Sequence, residues 1–253
     1  MITLTFDGVV FDNIKAIIFD KDGTLIDGGP YWGRIIELRA KALMEYFRIR
    51  ELCFADICDA LGFSVRENRL KEEGPIALVS REEVIDITWE LLNTNKIKST
   101  KLEISDVFTK THDIFKKEMD KYIKIIPGVR EFLDKIPSDV AKILITSDAL
   151  ANTERGLELV GVKKYFDLVL TKESSDKPKS SGELPTNALR KFNVDISETV
   201  VIGDSPADYQ MGKNAGIDKV ILVASGQISK EKLSNYSEYT VSSLGDIKIS
   251  NCK

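Results

Sequence analysis

Two aspartates separated by a single lysine close an apolar run in Ala16-Ile17-Ile18-Phe19-Asp20-Lys21-Asp22, and Gly23-Thr24 follows at once. Carboxylates this close repel one another, so one of them is neutralised by a cation or by a raised pKa. The same pattern of an apolar run ending in a polar group recurs downstream. Val140 to Ile145 ends at Thr146, Phe166 to Leu170 ends at Thr171, and Thr199 to Gly203 ends at Asp204. Lys177 follows the run that ends at Thr171, and Asp208 lies one helical turn beyond Asp204. In an open parallel sheet, ligands sit outside the carboxyl ends of the strands, where the strand order reverses. Asp20, Asp22, Asp204 and Asp208, with one hydroxyl and one ammonium, are thus expected around a single crevice. Four carboxylates coexist there only with a hard cation, and all-oxygen ligands point to Mg²⁺ rather than zinc.

The elements that must position these groups follow from periodicity. The apolar runs, with Lys219 to Ala224 as a possible fifth, read as strands buried on both faces. Between them lie helix-like stretches, 152–161 and 184–193, so strand and helix alternate. That alternation predicts a doubly wound α/β core with a Rossmann-like parallel sheet and right-handed crossovers. Residues 28–125 differ: 34–47, 80–93 and 104–119 carry apolar residues at helical spacing, and no run there reads as a strand. Ser80 with Glu83 matches a capping box that starts a helix. The chain is therefore expected to divide into a core of 15–27 and 126–253, a helical domain inserted at 28–125, and a β-hairpin at 1–14 around Asp7-Gly8.

Each polar residue also has a plain structural reading. A lone aspartate at a strand end is more often a helix N-cap than a catalyst. Asp27 and Asp148 read as turn residues, and His112 as an ordinary residue of a helical stretch, which disfavours a Ser-His-Asp hydrolase. Polar groups at successive strand ends are what strain the plain account. The 253 residues, 43% apolar, suffice for one large or two smaller domains. A formal charge of -4, with lysines interleaved among acids, argues against a nucleic-acid partner. The absence of a long apolar run or a signal-like N-terminus argues against a membrane and for the cytoplasm. Cys53, Cys58 and Cys252 have neither the count nor the spacing of a disulfide framework or zinc site.

These residues resemble the haloacid dehalogenase-like (HAD) superfamily in its phosphatase branch, most closely the phosphoglycolate phosphatase type. Phe19 to Leu25 matches the first motif, Ile143 to Ser147 the second, Asp176 to Ser180 the third, and Val200 to Asp208 the fourth. The resemblance implies Asp20 as nucleophile and Asp22 as general acid and base. It implies phosphate contacts from Thr146, Ser147 and Lys177. Mg²⁺ would be held by Asp20, Asp204, Asp208 and the backbone carbonyl of Asp22, and 28–125 would be the cap domain. The chemistry is coherent with this, because a carboxylate attacking phosphorus splits hydrolysis into two easier displacements. Backbone N–H groups around Gly23 and Thr24 are expected to bind the equatorial oxygens. Two departures stand out. The third motif usually continues Lys-Pro-x-Pro, and here it reads Lys177-Pro178-Lys179-Ser180; Gly28-Gly29 follows the first motif where Val-Asp-Ser is common. The reading is a Mg²⁺-dependent phosphomonoesterase acting on a small phosphorylated metabolite. A phosphoglucomutase-type phosphotransferase and a non-catalytic binding protein on the same scaffold are the alternatives.

Overall fold

The structure, a computed structural model, describes residues 1–76 and 78–251, so Cys252 lies outside it. The chain forms two compact units, Met1–Asp27 with Lys124–Lys253, and Gly28–Ile123. Lys124 and Ile125 thus belong to the first unit, where the Asp27 N–H donates to the Lys124 carbonyl at 2.8 Å and Ile26 bridges Ile125.

In the first unit, β1 (Ile2–Phe6) and β2 (Val9–Ile14) form the expected hairpin. Asp7 and Gly8 both adopt positive φ at its tip, the backbone a two-residue hairpin turn requires. The central sheet begins with β3 (Ala16–Phe19), whose four residues are all fully buried, as a strand covered on both faces demands. The second unit then intervenes. It contains α1 (Gly28–Phe47), α2 (Phe54–Ala60), a small antiparallel pair β4 (Phe63–Ser64) and β5 (Arg69–Leu70), α3 (Arg81–Thr94) and α4 (Lys101–Lys116). Ser80 and Glu83 form the capping box expected of α3, and Thr100 with Glu103 repeats the device at α4. The β4–β5 pair corrects the all-helical expectation. Two-residue strands leave too short an alternation to read in sequence, and only Phe63 and Leu70 face the apolar cluster.

The first unit resumes with α5 (Val129–Asp134), β6 (Ala141–Ile145), α6 (Leu150–Leu159), β7 (Leu168–Leu170), α7 (Glu183–Phe192), β8 (Thr199–Gly203), α8 (Pro206–Asn214), β9 (Val220–Val223), α9 (Lys230–Leu233), β10 (Thr240–Val241) and β11 (Lys248–Asn251). The six-stranded sheet runs β10-β9-β8-β3-β6-β7 with every pair parallel. The doubly wound α/β expectation holds, with β10 as an added edge strand. β11 joins the free side of β1, so the N-terminal hairpin is part of a three-stranded antiparallel sheet. Among the described residues, no helix is long and apolar enough to cross a membrane.

Register converts this topology into a site. Phe19 pairs with Leu144 on one side and Ile202 on the other. Asp20 therefore stands level with Ile145 and Gly203, and Thr146 and Asp204 follow one residue later on the flanking strands. The chain turns from β3 to β6 on one side and later to β8 on the other, which makes this the switch point of the sheet.

Candidate active site

Asp20 is nearly buried at the end of β3, its N–H donating to the Ile202 carbonyl at 2.9 Å. Its carboxylate accepts a hydrogen bond from the Lys179 ammonium, which also lies 2.6 Å from Asp208 Oδ1. Asp208 does two jobs. Its Oδ2 accepts from the Ser205 N–H and hydroxyl at 3.1 and 2.7 Å as the capping box of α8, while Oδ1 turns to Lys179. The absence of a side chain at Gly203 makes this possible, since a Cβ there would sit 2.2 Å from Asp208 Cγ.

The lysine is a correction. Lys177, the expected cation, is 66% exposed and pairs with Glu183 at 2.9 Å, while the Lys179 side chain is 8% exposed between Asp20 and Asp208. The cause is local. Lys179 to Ser181 form a single helical turn directly ahead of α7, and Gly182, at φ +78°, packs where a Cβ would come within 2.6 Å of the Ala215 nitrogen at the end of α8. The Asn214 amide donates to the Ser180 carbonyl at 2.8 Å. The loop is thus anchored from its helical end, and the residue that reaches the site is counted back from α7 rather than forward from Lys-Pro. The Lys-Ser-Ser-Gly run just before the helix was the signal that could have identified it.

Asp20, Asp204 and Asp208 bring carboxylate oxygens within 4.8 Å of one another. Asp204 is nearly buried, and among the described residues no cation pairs with it. Burial raises its pKa well above the usual carboxylate range, and the charges of Asp20 and Asp208 push in the same direction. Three acids with one ammonium leave a surplus of negative charge in a nearly dry pocket. A hard divalent cation with oxygen ligands suits that donor set. Asp22 stands outside this carboxylate group.

Asp204 is held by shape. A Cβ on Gly23 would lie 2.1 Å from its Oδ2 and one on Gly226, in the loop after β9, 1.8 Å from the same atom. Gly23 has φ +83°, and the Ser225 hydroxyl donates to its carbonyl at 2.7 Å. Gly226, which sequence reasoning passed over, is therefore a wall of the space around Asp204. Gly226→Ala is expected to displace Asp204 and weaken divalent-cation affinity about tenfold or more, the usual cost of disturbing a ligand's supports. Cation titration followed by thermal shift measures it.

Asp22 is part of a separate ion-pair group. The buried Lys21 ammonium lies 2.7 Å from Asp148 Oδ2 and 3.1 Å from Asp22 Oδ2. Asp148 Oδ1 in turn accepts from the Ala149 N–H at 2.7 Å and the Asn152 amide at 3.2 Å, which ties the group to the start of α6. Burial raises the Asp22 pKa, opposed by Lys21. Asp148 is held low, because Lys21 and these hydrogen bonds outweigh its own burial. Lys21 and Asp148, read from sequence as spacer and turn, thus form an ion-pair group with the Asp22 carboxyl just past the end of β3.

The remaining expectations divide. Thr146 is buried at the end of β6, its Oγ1 accepting from the Asp148 N–H at 3.2 Å, whereas Ser147 is exposed. The Gly23 N–H is not available to a phosphate, because it donates to the Ile26 carbonyl at 2.8 Å. The Thr24 hydroxyl is buried with no hydrogen-bond partner among the described residues.

The fold is that of an α/β protein whose parallel sheet carries two carboxylates of different surroundings at its switch point. Comparison with known proteins makes the class specific. Residues 14–216 match the haloacid dehalogenase-like hydrolase family model, and the chain belongs to that family. It is 26% identical over 238 residues to pyrophosphatase PpaX of Oceanobacillus iheyensis, covering 93% of this chain and 95% of that protein. It is 26% identical over 212 residues to the phosphorylated carbohydrates phosphatase of Thermotoga maritima, covering 82% and 84%. A crystal structure described as "a predicted phosphoglycolate phosphatase" from Haemophilus somnus superposes with a TM-score of 0.72 at 14% identity, covering 92% and 96%.

Proposed function

We propose that the protein is a Mg²⁺-dependent phosphatase that hydrolyses a small phosphorylated metabolite through a phosphorylated Asp20. The observation that carries this reading is the division of labour between Asp20, set among Lys179, Asp204 and Asp208, and Asp22, set apart with Lys21 and Asp148. Asp20 attacks phosphorus, so an Oδ–P bond forms as the bond to the leaving oxygen breaks. Asp22 gives its proton to that oxygen and then takes one from the water that cleaves the Asp20–phosphate bond. Lys179 screens the negative charge of nucleophile and phosphoryl group, and Thr146 offers a hydroxyl at the neighbouring strand end. Asp20, Asp204 and Asp208, with the Asp22 carbonyl, would hold Mg²⁺, which supplies charge stabilisation on the phosphoryl oxygens. The named relatives favour pyrophosphate or a sugar phosphate as substrate. Phosphate release from a panel of both, with phosphoglycolate and p-nitrophenyl phosphate, tests the reading, and no release from any of them in Mg²⁺ would reject it.

The metal assignment has a signature in stability as well. Without an ion, burial raises the Asp20 pKa from 3.8 to about 7, with Asp208 and Asp22 reinforcing the rise against Lys179. Between those values the folded chain keeps a proton that the unfolded chain has released. Asp20 alone should therefore lower the stability of the metal-free protein as pH rises through this window, by up to about 1.4 kcal/mol per pH unit, and the raised pKa values of Asp204 and Asp22 act in the same direction. A cation replaces that proton, so Mg²⁺ should flatten the slope and restore stability at neutral pH. Denaturant melts with chelator and with Mg²⁺ across the window check both, and catalysis should vanish with the chelator. Full turnover in chelator would end the assignment.

A further inference from the structure

Arg39 lies on α1 in the middle of the helical unit, and it is only 7% exposed. Arginine stays protonated at neutral pH and presents five donors, so a buried one is normally met by a carboxylate or by carbonyls. Arg39 is met by neither. Among the described residues its Nε has no hydrogen-bond partner, and the titratable groups acting on it are a second cation, Arg81, and, more weakly and in the opposite sense, the Tyr31 phenol. What it does have is the face of an aromatic ring, with its Cζ 4.1 Å from the centroid of Phe108 on α4. A cation–π contact offsets part of the cost of desolvation, but it uses none of the N–H donors.

The surroundings are basic. His112 stands one helical turn after Phe108 on α4, half-buried, and the charges of Lys116, Arg39 and Arg81 add to burial in lowering its pKa. Arg81 is itself fastened to α4, donating to the Ser105 carbonyl at 3.1 Å and the Thr109 hydroxyl at 2.7 Å. Two guanidinium groups and an imidazole thus gather about two turns of α4, and one of the guanidinium groups is buried with its Nε–H unspent.

We propose that Arg39 is the centre of an oxyanion-binding site within the helical unit, taking a carboxylate or phosphoryl group on its unpaired N–H donors. Guanidinium is suited to this, because its planar fork matches both groups. The anion is a separate small oxyanion bound wholly within the helical unit.

The test follows the Arg39 Nε–H directly in the full-length protein labelled with ¹⁵N-arginine, its resonance assigned by loss in Arg39→Lys. Sulfate, which the enzyme cannot hydrolyse, is titrated against chloride at matched ionic strength. The expected result is a saturable shift of that resonance with half-saturation near about 1 mM, the scale of one or two charge-assisted hydrogen bonds. Arg39→Met is expected to melt higher than the wild type without sulfate, since it removes an unpaired buried charge, and to lose the wild type's extra gain with sulfate. An Arg39 Nε–H that ignores sulfate, or an Arg39→Met protein less stable than the wild type in sulfate-free buffer, would overturn the proposal. The resonance is read without turnover, so it stands or fails independently of the phosphatase reading.

Discussion

Asp20→Asn is expected to abolish turnover of every phosphate ester, a loss of about 10⁴-fold or more, and never to carry phosphate, because the proposed covalent path begins at that carboxylate. Asp22→Asn is expected to fail differently. With an alkyl phosphate the leaving alkoxide needs a proton, and about 100-fold or more is lost with the acid. With p-nitrophenyl phosphate the leaving group departs unaided, so Asp20 still becomes phosphorylated, and the attack of water then lacks its base. Phosphate should accumulate on the enzyme. Rapid acid quench and mass spectrometry should find it on the peptide containing Asp20. A burst of nitrophenol without phosphoprotein, or phosphate on another residue, would mean that the two carboxylates have been given the wrong roles. The structure supplies the reason for the contrast. Asp20 shares its ammonium with Asp208 and stands beside Asp204, whereas Asp22 turns away to Lys21 and Asp148.

Exchanging the two neighbouring lysines should separate them as sharply. Lys179→Met removes the ammonium between Asp20 and Asp208, and the loss of one preorganised positive group at the transition state costs about 10²–10³ in kcat. It also leaves buried carboxylates uncompensated, which should cost about 3–5 kcal/mol of stability in chelator and less in Mg²⁺. Lys177→Met should change neither, since the Lys177–Glu183 pair is exposed and screened by solvent. Steady-state kinetics and denaturant melts on the two variants decide the matter. An inactive Lys177→Met beside an active Lys179→Met would reverse the assignment.

That correction shows how far sequence reasoning reaches in this molecule. Asp20, Thr146 and Asp204 were legible because they end buried strands, and a parallel sheet brings its carboxyl ends to one side whatever the connections contain. Asp208 was legible because its distance from Asp204 is a turn of helix. Lys179 was not, because its loop has no period of its own. Its reach depends on Gly182 fitting against α8 and on Asn214 holding Ser180. Gly226 was invisible for the same reason: no local pattern tells that a loop after β9 will press on a carboxylate after β8. Lys21 and Asp148 were visible as residues, but their pairing spans 127 positions.

By itself, then, the amino-acid order determined whatever depends on period and adjacency. That covers the apolar runs and their polar ends, the capping box at Ser80, the tight hairpin at Asp7-Gly8, and the insertion of a helical stretch after the first core strand. Only the tertiary structure decided which of two lysines meets Asp20, which glycines leave room for Asp204, and that a buried Arg39 lacks an acid. The physical reason is range. Helix and strand patterns are set by contacts a few residues apart, whereas charge compensation and close backbone approach depend on which distant segments share a few ångströms of nearly dry space, where an ammonium placed two residues along the chain changes partners altogether.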